Sequence, residues 1–521
     1  MSTDPLLLAI DAGTGSCRAV LFDVDGHQVA LGQREYAHAE APGVPGSQVF
    51  DTARNWRLIC DCVREAIASA GVTAGRVAAV STTSMREGMV LHDAGGREIW
   101  ACPNVDSRAG EEAAELVRSG AAQEIYERAG DWVAITAPAR FRWIAKHQPD
   151  VFASIAHVGM LGDWIVNRLS GEFATDPSLG SSSGMFDLAE RTWSERVLEL
   201  VGLERRVFPT VVPSGTAVGA VTARAADETG LPAGTPVVAG GADTQLGLLG
   251  IGVAEPGRFT IVGGSFWQHT VLLDRPLIDP RARLRTLCHT VPGQWMMEGI
   301  GFYCGIVMRW FRDAFCELEK AQAEREGIDA YALLERMAAE VPAGAHGVFG
   351  LFSNLMQASR WVHAAPGFIG FDVANPARAG RAACFRAIEE SAAYVSLGHR
   401  RILEEVAGIE VDRAVMTGGA AKGTLWPQIV ADTLGLPVQI PVVKESTALG
   451  AAIYAGVGVG LYDDAAGAAR RIARFERTVE PDPAAQATYA ELFERWLELY
   501  RRTLELSEDG LVRPLWRAAG T

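Results

Sequence analysis

The stretch VVAGGADTQLGLLG, Val237 to Gly250, decides how the rest of this 521-residue chain is read. An apolar strand (Val237, Val238, Ala239) is expected to stop at Gly240-Gly241, and Thr244-Gln245-Leu246 opens a helix, with Asp243 between the two. Glycines let a ligand come close to the backbone, and a helix start offers unpaired N–H groups. That is a suitable seat for a catalytic base. Asp is also a very common helix N-cap, and on this stretch alone the cap is the better reading. The remainder of the chain has to decide between them.

Upstream, Leu6 to Ile10 reads as a strand, DAGTGS (Asp11 to Ser16) as a tight turn and Arg18 to Asp23 as a returning strand. Asp25-Gly26 makes a hairpin turn, and a third strand starts at Gln28. A helix is expected from Thr52 to Ala70, with Trp56, Ile59, Cys60, Val63 and Ile67 on one face. A strand follows from Val77 to Ser81 and ends in TTSMREG. EIWACPNVDSR carries another strand, and helices fill much of residues 108–170, one of them around Asp163-Trp164. The Ser- and Gly-rich segment TDPSLGSSSGMFDL reads as a loop.

Downstream the plan repeats. Arg258 to Val262 is a strand, Gly263-Gly264-Ser265 a turn and Trp267 to Leu272 a returning strand. A helix is expected over Cys384 to Val406, then a strand over Ala414 to Met416 ending in TGGAAKG, and a helix over Leu425 to Leu434. This is a structural repeat rather than a sequence repeat. Val253 to Gly257, which ends in Pro-Gly, is the natural boundary. Two α/β domains facing each other would bring both hairpin turns to one cleft. The amphipathic segment Ala485 to Leu506 carries Tyr489, Phe493, Trp496 and Tyr500 as a packing stripe. CELEKAQAEREGID reads as a solvated helix face.

Composition narrows the class. The chain is 48% hydrophobic and 21% charged, with a net charge of −15. Its pI near 5.3 argues against a nucleic-acid partner or an anionic membrane surface. The eight cysteines are scattered, and Cys60 and Cys62 lack zinc-site spacing, so buried free thiols in a reducing cytoplasm are expected. No basic region precedes the first apolar run, so no signal peptide is expected. Ala448 to Leu461 is too short and Gly/Ala-rich to insert into a membrane. There is no G-x-x-x-x-G-K-[ST], HExxH or G-x-S-x-G, and GVGVG from Gly456 follows a helix, the wrong context for a dinucleotide fold.

Four features are suited to chemistry. In DAGTGS, the small turn of Gly13, Thr14, Gly15 and Ser16 offers an anion nest with two hydroxyls, Arg18 could reach a phosphate and Asp11 could hold a metal's water. A plain hairpin explains the turn equally well. The Gly263–Ser265 turn occupies the equivalent place, and the pair suggests two hairpins closing on one phosphate chain. Gly418 and Gly419 of TGGAAKG could accept a base or ribose against the backbone. Arg86 and Glu87 of MREG suit a polyhydroxy or dicarbonyl substrate, provided the chain turns there, which Gly88 would allow. Thr83, Trp132, Gln245 and Gln268 are further substrate candidates by position, and His363 reads as structural or as part of a lid.

In this order and spacing, DAGTGSCRAVLFD, MREG, GGADTQLGLLG, GGSFW, FRAIEESAAY and TGGAAKGTLWPQIVADTLGLPV resemble the FGGY carbohydrate kinases over nearly the whole chain. The resemblance implies an actin-like ATPase α/β fold, two ribonuclease-H-like domains flanking a nucleotide cleft. Residues 1–254 would bind substrate and carry the first phosphate hairpin and the catalytic Asp. Residues 255–521 would carry the second hairpin and the adenosine site. It implies ATP and Mg2+ as cofactors and a small-molecule substrate. Asp243 matches the general base, Arg86 and Glu87 the substrate-hydroxyl pair, and Asp11 (with Asp243) the magnesium site. Thr14, with Gly15, Ser16 and Arg18, and Ser265, with Gly264, match the hairpins at the ATP phosphates; Gly418 and Gly419 match the glycines at adenosine. SMREGMVLHD, EIWACPNVDSRA, VMRWFRDAFCELEKAQAEREGIDAYALLERMA, WVHAAPGFI and GLPVQIPVVKESTALGAAIYAGVGVG are similar to the branch that phosphorylates open-chain 4,5-dihydroxypentane-2,3-dione on its terminal hydroxyl. The pattern departs at Ser265 (often Thr), at Arg140 (Lys) and, against glycerol kinases, at Asn104 (Trp nearby) and Gly423 (Asn). A xylulose- or glycerol-type kinase, or an actin-like ATP-binding switch that is not a kinase, remain the alternatives.

Overall fold

A computed structural model describes residues 4–357, 359 and 362–517; Trp361 of WVHAAPGFI lies outside them. Two mixed sheets carry the chain. The first runs Ala217–Ala220, Pro236–Ala242, Val77–Ser84, Leu6–Ala12, Ser16–Phe22, Gln28–Glu35. The second runs Arg285–Cys288, Trp295–Gly301, Trp267–Leu273, Phe259–Gly263, Ala414–Thr417, Val438–Pro441, Phe475–Val479. In each, a central strand pairs antiparallel with the next strand in the chain and parallel with a later one: Leu6–Ala12 with Ser16–Phe22 and Val77–Ser84, Phe259–Gly263 with Trp267–Leu273 and Ala414–Thr417. The repeat read from the sequence is therefore the plan of the molecule.

The central strand LLLAIDA is buried on both faces, as a strand between two helix layers must be. Leu6, Leu8 and Ile10 pack with Trp56, Ile59 and Val63 of the Thr52–Ala70 helix. Leu7 and Ala9 pack with the Ser446–Gly458 helix, which comes from the second half of the chain. That helix crosses the Asp243–Gly250 helix at two glycines. A Cβ at Gly250 would lie 2.0 Å from Ser446 O, and one at Gly450 would lie 2.1 Å from Leu246 O. The small residues of ALGAAIYAG thus bring two backbones into contact and join the halves.

Two expectations need correction. TDPSLGSSSGMFDL is not a loop: Pro177–Ser182 is a buried helix, capped by Asp176, whose carboxylate accepts from the Ser178 and Leu179 N–H groups. The Pro236–Ala242 strand does not stop at Gly240-Gly241 but runs through both. Those glycines serve packing: a Cβ at Gly240 would lie 1.9 Å from Thr82 O, and one at Gly241 would lie 2.4 Å from Thr290 Cγ2 and 2.7 Å from Ser178 Oγ. Among the described residues no helix is long and apolar enough to cross a membrane, and all eight cysteines are free and buried.

Candidate active site

Asp243 is the first residue of the Asp243–Gly250 helix, not its cap; the cap position is Ala242. The junction is clamped from behind. Ala242 N–H donates to Ser178 Oγ at 2.9 Å, and Ser178 Oγ donates to Asp176 Oδ2 at 2.7 Å, which also accepts from Ser214 Oγ at 3.0 Å. Asp243 Oδ1 accepts from the Thr244 N–H at 2.7 Å. Its side chain is 34% exposed, in contrast to the arginine beside it. Burial of the surroundings raises its pKa; Arg86 and the Thr244 N–H oppose this, and Glu87 and Glu298 reinforce it. The helix start does favour the charged form, but desolvation outweighs it.

Arg86 and Glu87 follow the Val77–Ser84 strand, and both are buried. The turn that separates them from the strand comes at Glu87 itself, with φ +60°, and not at Gly88. Gly88 is needed for space, since its Cβ would lie 2.4 Å from Leu161 Cδ1. The left-handed backbone at Glu87 is pinned by Arg140, whose guanidinium donates to Glu87 O, to Asn104 O at 3.0 Å and to Asp106 O at 3.1 Å. One planar fork serving several carbonyls explains why arginine stands at this position; a lysine head could not span them.

Sequence reasoning missed the partners of this pair. Arg86 Nη1 donates to both Glu298 oxygens, at 3.2 and 3.1 Å, while its Nε lies 3.6 Å from Asp243 Oδ1. Arg285 donates to Glu87 Oε1 at 2.8 Å, Glu298 Oε1 at 2.7 Å and Asp131 Oδ2 at 3.2 Å. Arg285 and Glu298 sit on strands of the second half, so the two halves share one buried charge network. Burial pushes the Asp131 carboxyl up to about 6; Arg285 works against this and Glu87 with it. Two of the positional candidates lie close in the chain to these groups. Thr83 Oγ1 and Trp132 Nε1 are buried without a hydrogen-bond partner among the described residues. Gln245 is fully enclosed and donates to Cys288 O at 3.2 Å, so the structure turns it toward the second sheet. Gln268 is half-buried on the Trp267–Leu273 strand. His363 is buried edge-on to Phe302 and Tyr303.

The first glycine turn lies at the end of the Leu6–Ala12 strand. Neither Gly13 nor Gly15 uses positive φ, and a Cβ at Gly15 would meet nothing within 4 Å. Thr14 Oγ1 donates to Asn104 Oδ1 at 3.2 Å, and Ser16 opens the returning strand. Arg18 Nη1 lies 3.6 Å from Asp11 Oδ2 and 3.3 Å from Glu445 Oε2. Asp11 Oδ1 is buried without a partner. Burial lifts the Asp11 carboxyl to about 7; Arg18 opposes this, and Asp243 and Glu445 add to it. A carboxyl that is desolvated, keeps one oxygen without a hydrogen bond and lies close enough to Asp243 to feel its charge fits a divalent cation, which would restore the ionised form. Among the described residues no group of three or more His, Cys, Asp or Glu forms a metal cage.

The second turn lines a cavity of about 590 Å3. Gly263, Gly264 and Ser265 form one end, with Gly419 and Ala420 beside them. This second turn is in backbone contact with the one at Gly418-Gly419: Gly418 has φ +89°, and a Cβ there would lie 2.6 Å from Gly263 O. Ile306, Met308, Tyr331, Phe385 and Trp426 supply apolar walls, and Glu335 and Glu389 two carboxyls. A Cβ at Gly423 would lie 2.1 Å from Glu335 Oε1, so a side chain there would displace that carboxylate.

Residues 6–250 match the N-terminal domain, and residues 262–459 the C-terminal domain, of the FGGY family of carbohydrate kinases. Over 99% of its length the chain is 47% identical to the autoinducer-2 kinase of Yersinia enterocolitica, covering 98% of that protein. It is 46% identical to the autoinducer-2 kinase of Klebsiella pneumoniae, again over 99% of this chain and 97% of that protein. Among solved structures, xylulose kinase from Rhodospirillum rubrum superposes with a TM-score of 0.85 at 29% identity, covering 95% of this chain and 98% of that one. Glycerol kinase from Plasmodium falciparum with ADP superposes with a TM-score of 0.82 at 17% identity, over 95% and 98%; this likeness concerns the fold alone.

Proposed function

The chain belongs to the FGGY family of carbohydrate kinases, which use ATP, and from that membership we propose that it phosphorylates the terminal hydroxyl of open-chain 4,5-dihydroxypentane-2,3-dione, autoinducer-2. The choice of substrate is supported by the full-length identity to autoinducer-2 kinases. The chemistry is carried by one observation: Asp243, exposed in part, stands 3.6 Å from an arginine that is itself clamped by Glu298. In this reading Asp243 accepts the proton of the attacking hydroxyl, whose oxygen bonds to the γ-phosphorus as the bond to the β-phosphate bridging oxygen breaks. Arg86 and Glu87 orient the substrate's oxygens, and Arg140 and Arg285 hold that pair in place. Gly15, Ser16 and Thr14 on one side and Gly264 and Ser265 on the other cradle the phosphates, with Arg18 near the first turn. Gly418 and Gly419 border the adenosine end. Asp11, with Asp243, would hold Mg2+, which when bound neutralises charge on the phosphate oxygens. Residues 1–254 and 255–521 act as the two domains, and closing them excludes water that would otherwise take the phosphoryl group. The phosphorylated signal is charged and is trapped in the cytoplasm, where we place the enzyme.

The test is a panel of acceptors: the dione, xylulose, other pentuloses and glycerol, each with Mg-ATP. The dione is expected to give the highest kcat/KM by at least about tenfold, and preference for a pentulose overturns the substrate reading. Asp243→Asn should lower kcat by about a thousandfold or more while ADP still binds, in line with loss of a base and its charge. Turnover retained in that variant removes Asp243 from the mechanism.

A further inference from the structure

The exposed aromatic side chains of this acidic protein gather on one face. Among the described residues, Trp310, Phe315 and Phe371 are the exposed Trp, Phe and Tyr side chains, at 44%, 52% and 42%. The first two belong to the Ile306–Phe315 helix, and Phe371 follows the Gly367–Ile369 strand. A run of ring contacts joins them. Trp310 meets Phe315 at 5.3 Å and Phe352 at 5.6 Å, Phe352 meets Phe368 at 4.8 Å, and Phe368 meets Phe371 at 6.1 Å. Leu318, Ile369 and Val373 are exposed beside them in the chain. Single apolar side chains scattered over a surface need no explanation, whereas a joined set marks a contact surface.

A strand edge and a charge balance point to the occupant. The Gly367–Ile369 strand pairs antiparallel with Phe349–Leu351 in a sheet of two strands among the described residues, and a Cβ at Gly367 would meet nothing within 4 Å. A two-fold axis normal to the sheet sets two copies of one edge strand antiparallel, so that they pair with each other. The chain carries a net charge of −15, yet the charges next to the patch in the chain are matched. Arg312 pairs with Asp313 at 2.8 Å, Lys320 with Glu317 at 2.9 Å and Arg381 with Glu319 at 2.8 Å. A basic partner would be drawn to the acidic remainder of the surface. A face whose charges are already matched is where two acidic copies approach with least repulsion. We propose that this face is the contact between two copies of the chain. The Gly367–Ile369 strands continue the small sheet across a two-fold axis, and Trp310, Phe315 and Phe371 are buried against their counterparts.

Sedimentation velocity on the full chain between about 1 and 100 µM tests the proposal, without nucleotide or acceptor. The parent is expected to move from 55.7 kDa toward twice that mass across this range. Trp310→Glu and Phe371→Glu alter exposed positions on different elements. Each should keep the parent's thermal midpoint and raise the dissociation constant at least about tenfold, by removing an aromatic anchor and setting like charges across the axis. Ile369→Lys should do the same through the strand edge. Val29→Glu, equally exposed but on the edge strand of the first sheet, should leave association unchanged. A parent that stays at 55.7 kDa throughout overturns the proposal, also where a different protein is found on this face. So does a dimer that Trp310→Glu and Phe371→Glu both leave intact, or one that Val29→Glu weakens as much as they do.

Discussion

At the scale of single residues, Arg140 shows what the family pattern leaves to local context. Its guanidinium ties Glu87 O to the carbonyls of Asn104 and Asp106, and so holds a glutamate at φ +60°, a conformation that costs about 1–3 kcal/mol outside glycine. Arg140→Lys should lose about 1–3 kcal/mol of stability and raise KM for the acceptor severalfold while KM for ATP stays put. Steady-state kinetics beside thermal unfolding would check this; an equal rise in both KM values would mean that the lesion is general. Asp243, Arg86 and Glu87 stood out in the sequence because each follows a strand end in a short glycine-bearing motif. The turn at Glu87 did not, because no side chain announces a left-handed glutamate. Arg285 and Glu298 were hidden for another reason. They sit in RTLC and WMMEGIG, which read as ordinary strands, and their partners lie 198 and 212 residues away.

At the scale of elements, the Pro177–Ser182 helix carries the lesson. Its Ser and Gly content suggested a loop, yet Asp176-Pro177 is a cap followed by Pro at the first helical position, the usual start signal. The serines that looked like loop residues face inward. Ser178 holds the Ala242 N–H, and Ser181 holds the Cys288 N–H at 3.0 Å, so a short polar helix fixes one strand end of each sheet. Ser178→Ala should cost about 1–3 kcal/mol through an unsatisfied N–H and lower kcat more than it changes either KM, because Asp243 is the next residue. Unchanged kcat with lowered stability would show that the clamp holds the fold and not the base. The element that follows Cys288 adds a pH effect. Burial, with Arg191 nearby, lowers the His289 imidazole to about 3, so below about pH 6.5 the unfolded chain binds a proton that the native state refuses. The contribution is therefore complete above that pH and is lost as pH falls toward 3. In urea titrations the parent should lose up to about 1.4 kcal/mol per pH unit more than His289→Asn below pH 6.5. Parallel slopes would remove the imidazole from the acid limb.

At the scale of the whole molecule, the duplicated plan was legible, because strand, turn, strand, helix and strand recur in both halves; the order of the sheets and the strands Arg285–Cys288, Trp295–Gly301, Val438–Pro441 and Phe475–Val479 were not. How the halves meet was not. They are joined by backbone contact at Gly250 and Gly450 and by the charge network around Arg285. Arg285→Met leaves Glu87, Asp131 and Glu298 without their shared cation, and should cost about 3–5 kcal/mol. Where the variant folds, the affinity for ADP should hold while the KM for the acceptor rises tenfold or more. Weakened ADP binding with an intact acceptor KM would contradict a role on the acceptor side.

The same network limits how this protein can be recombined. Its first half contributes Arg86, Glu87, Asp131 and Asp243, and its second half contributes Arg285 and Glu298. The first set holds more carboxyls than cations, and the guanidinium that pairs with Glu87 and Asp131 comes from the second. A hybrid spliced at Val253–Gly257 to the second half of a relative without an arginine at this place would strand two carboxyls in a sealed interior. The halves resemble interchangeable modules in outline, yet their ionic balance obliges them to be inherited as a pair.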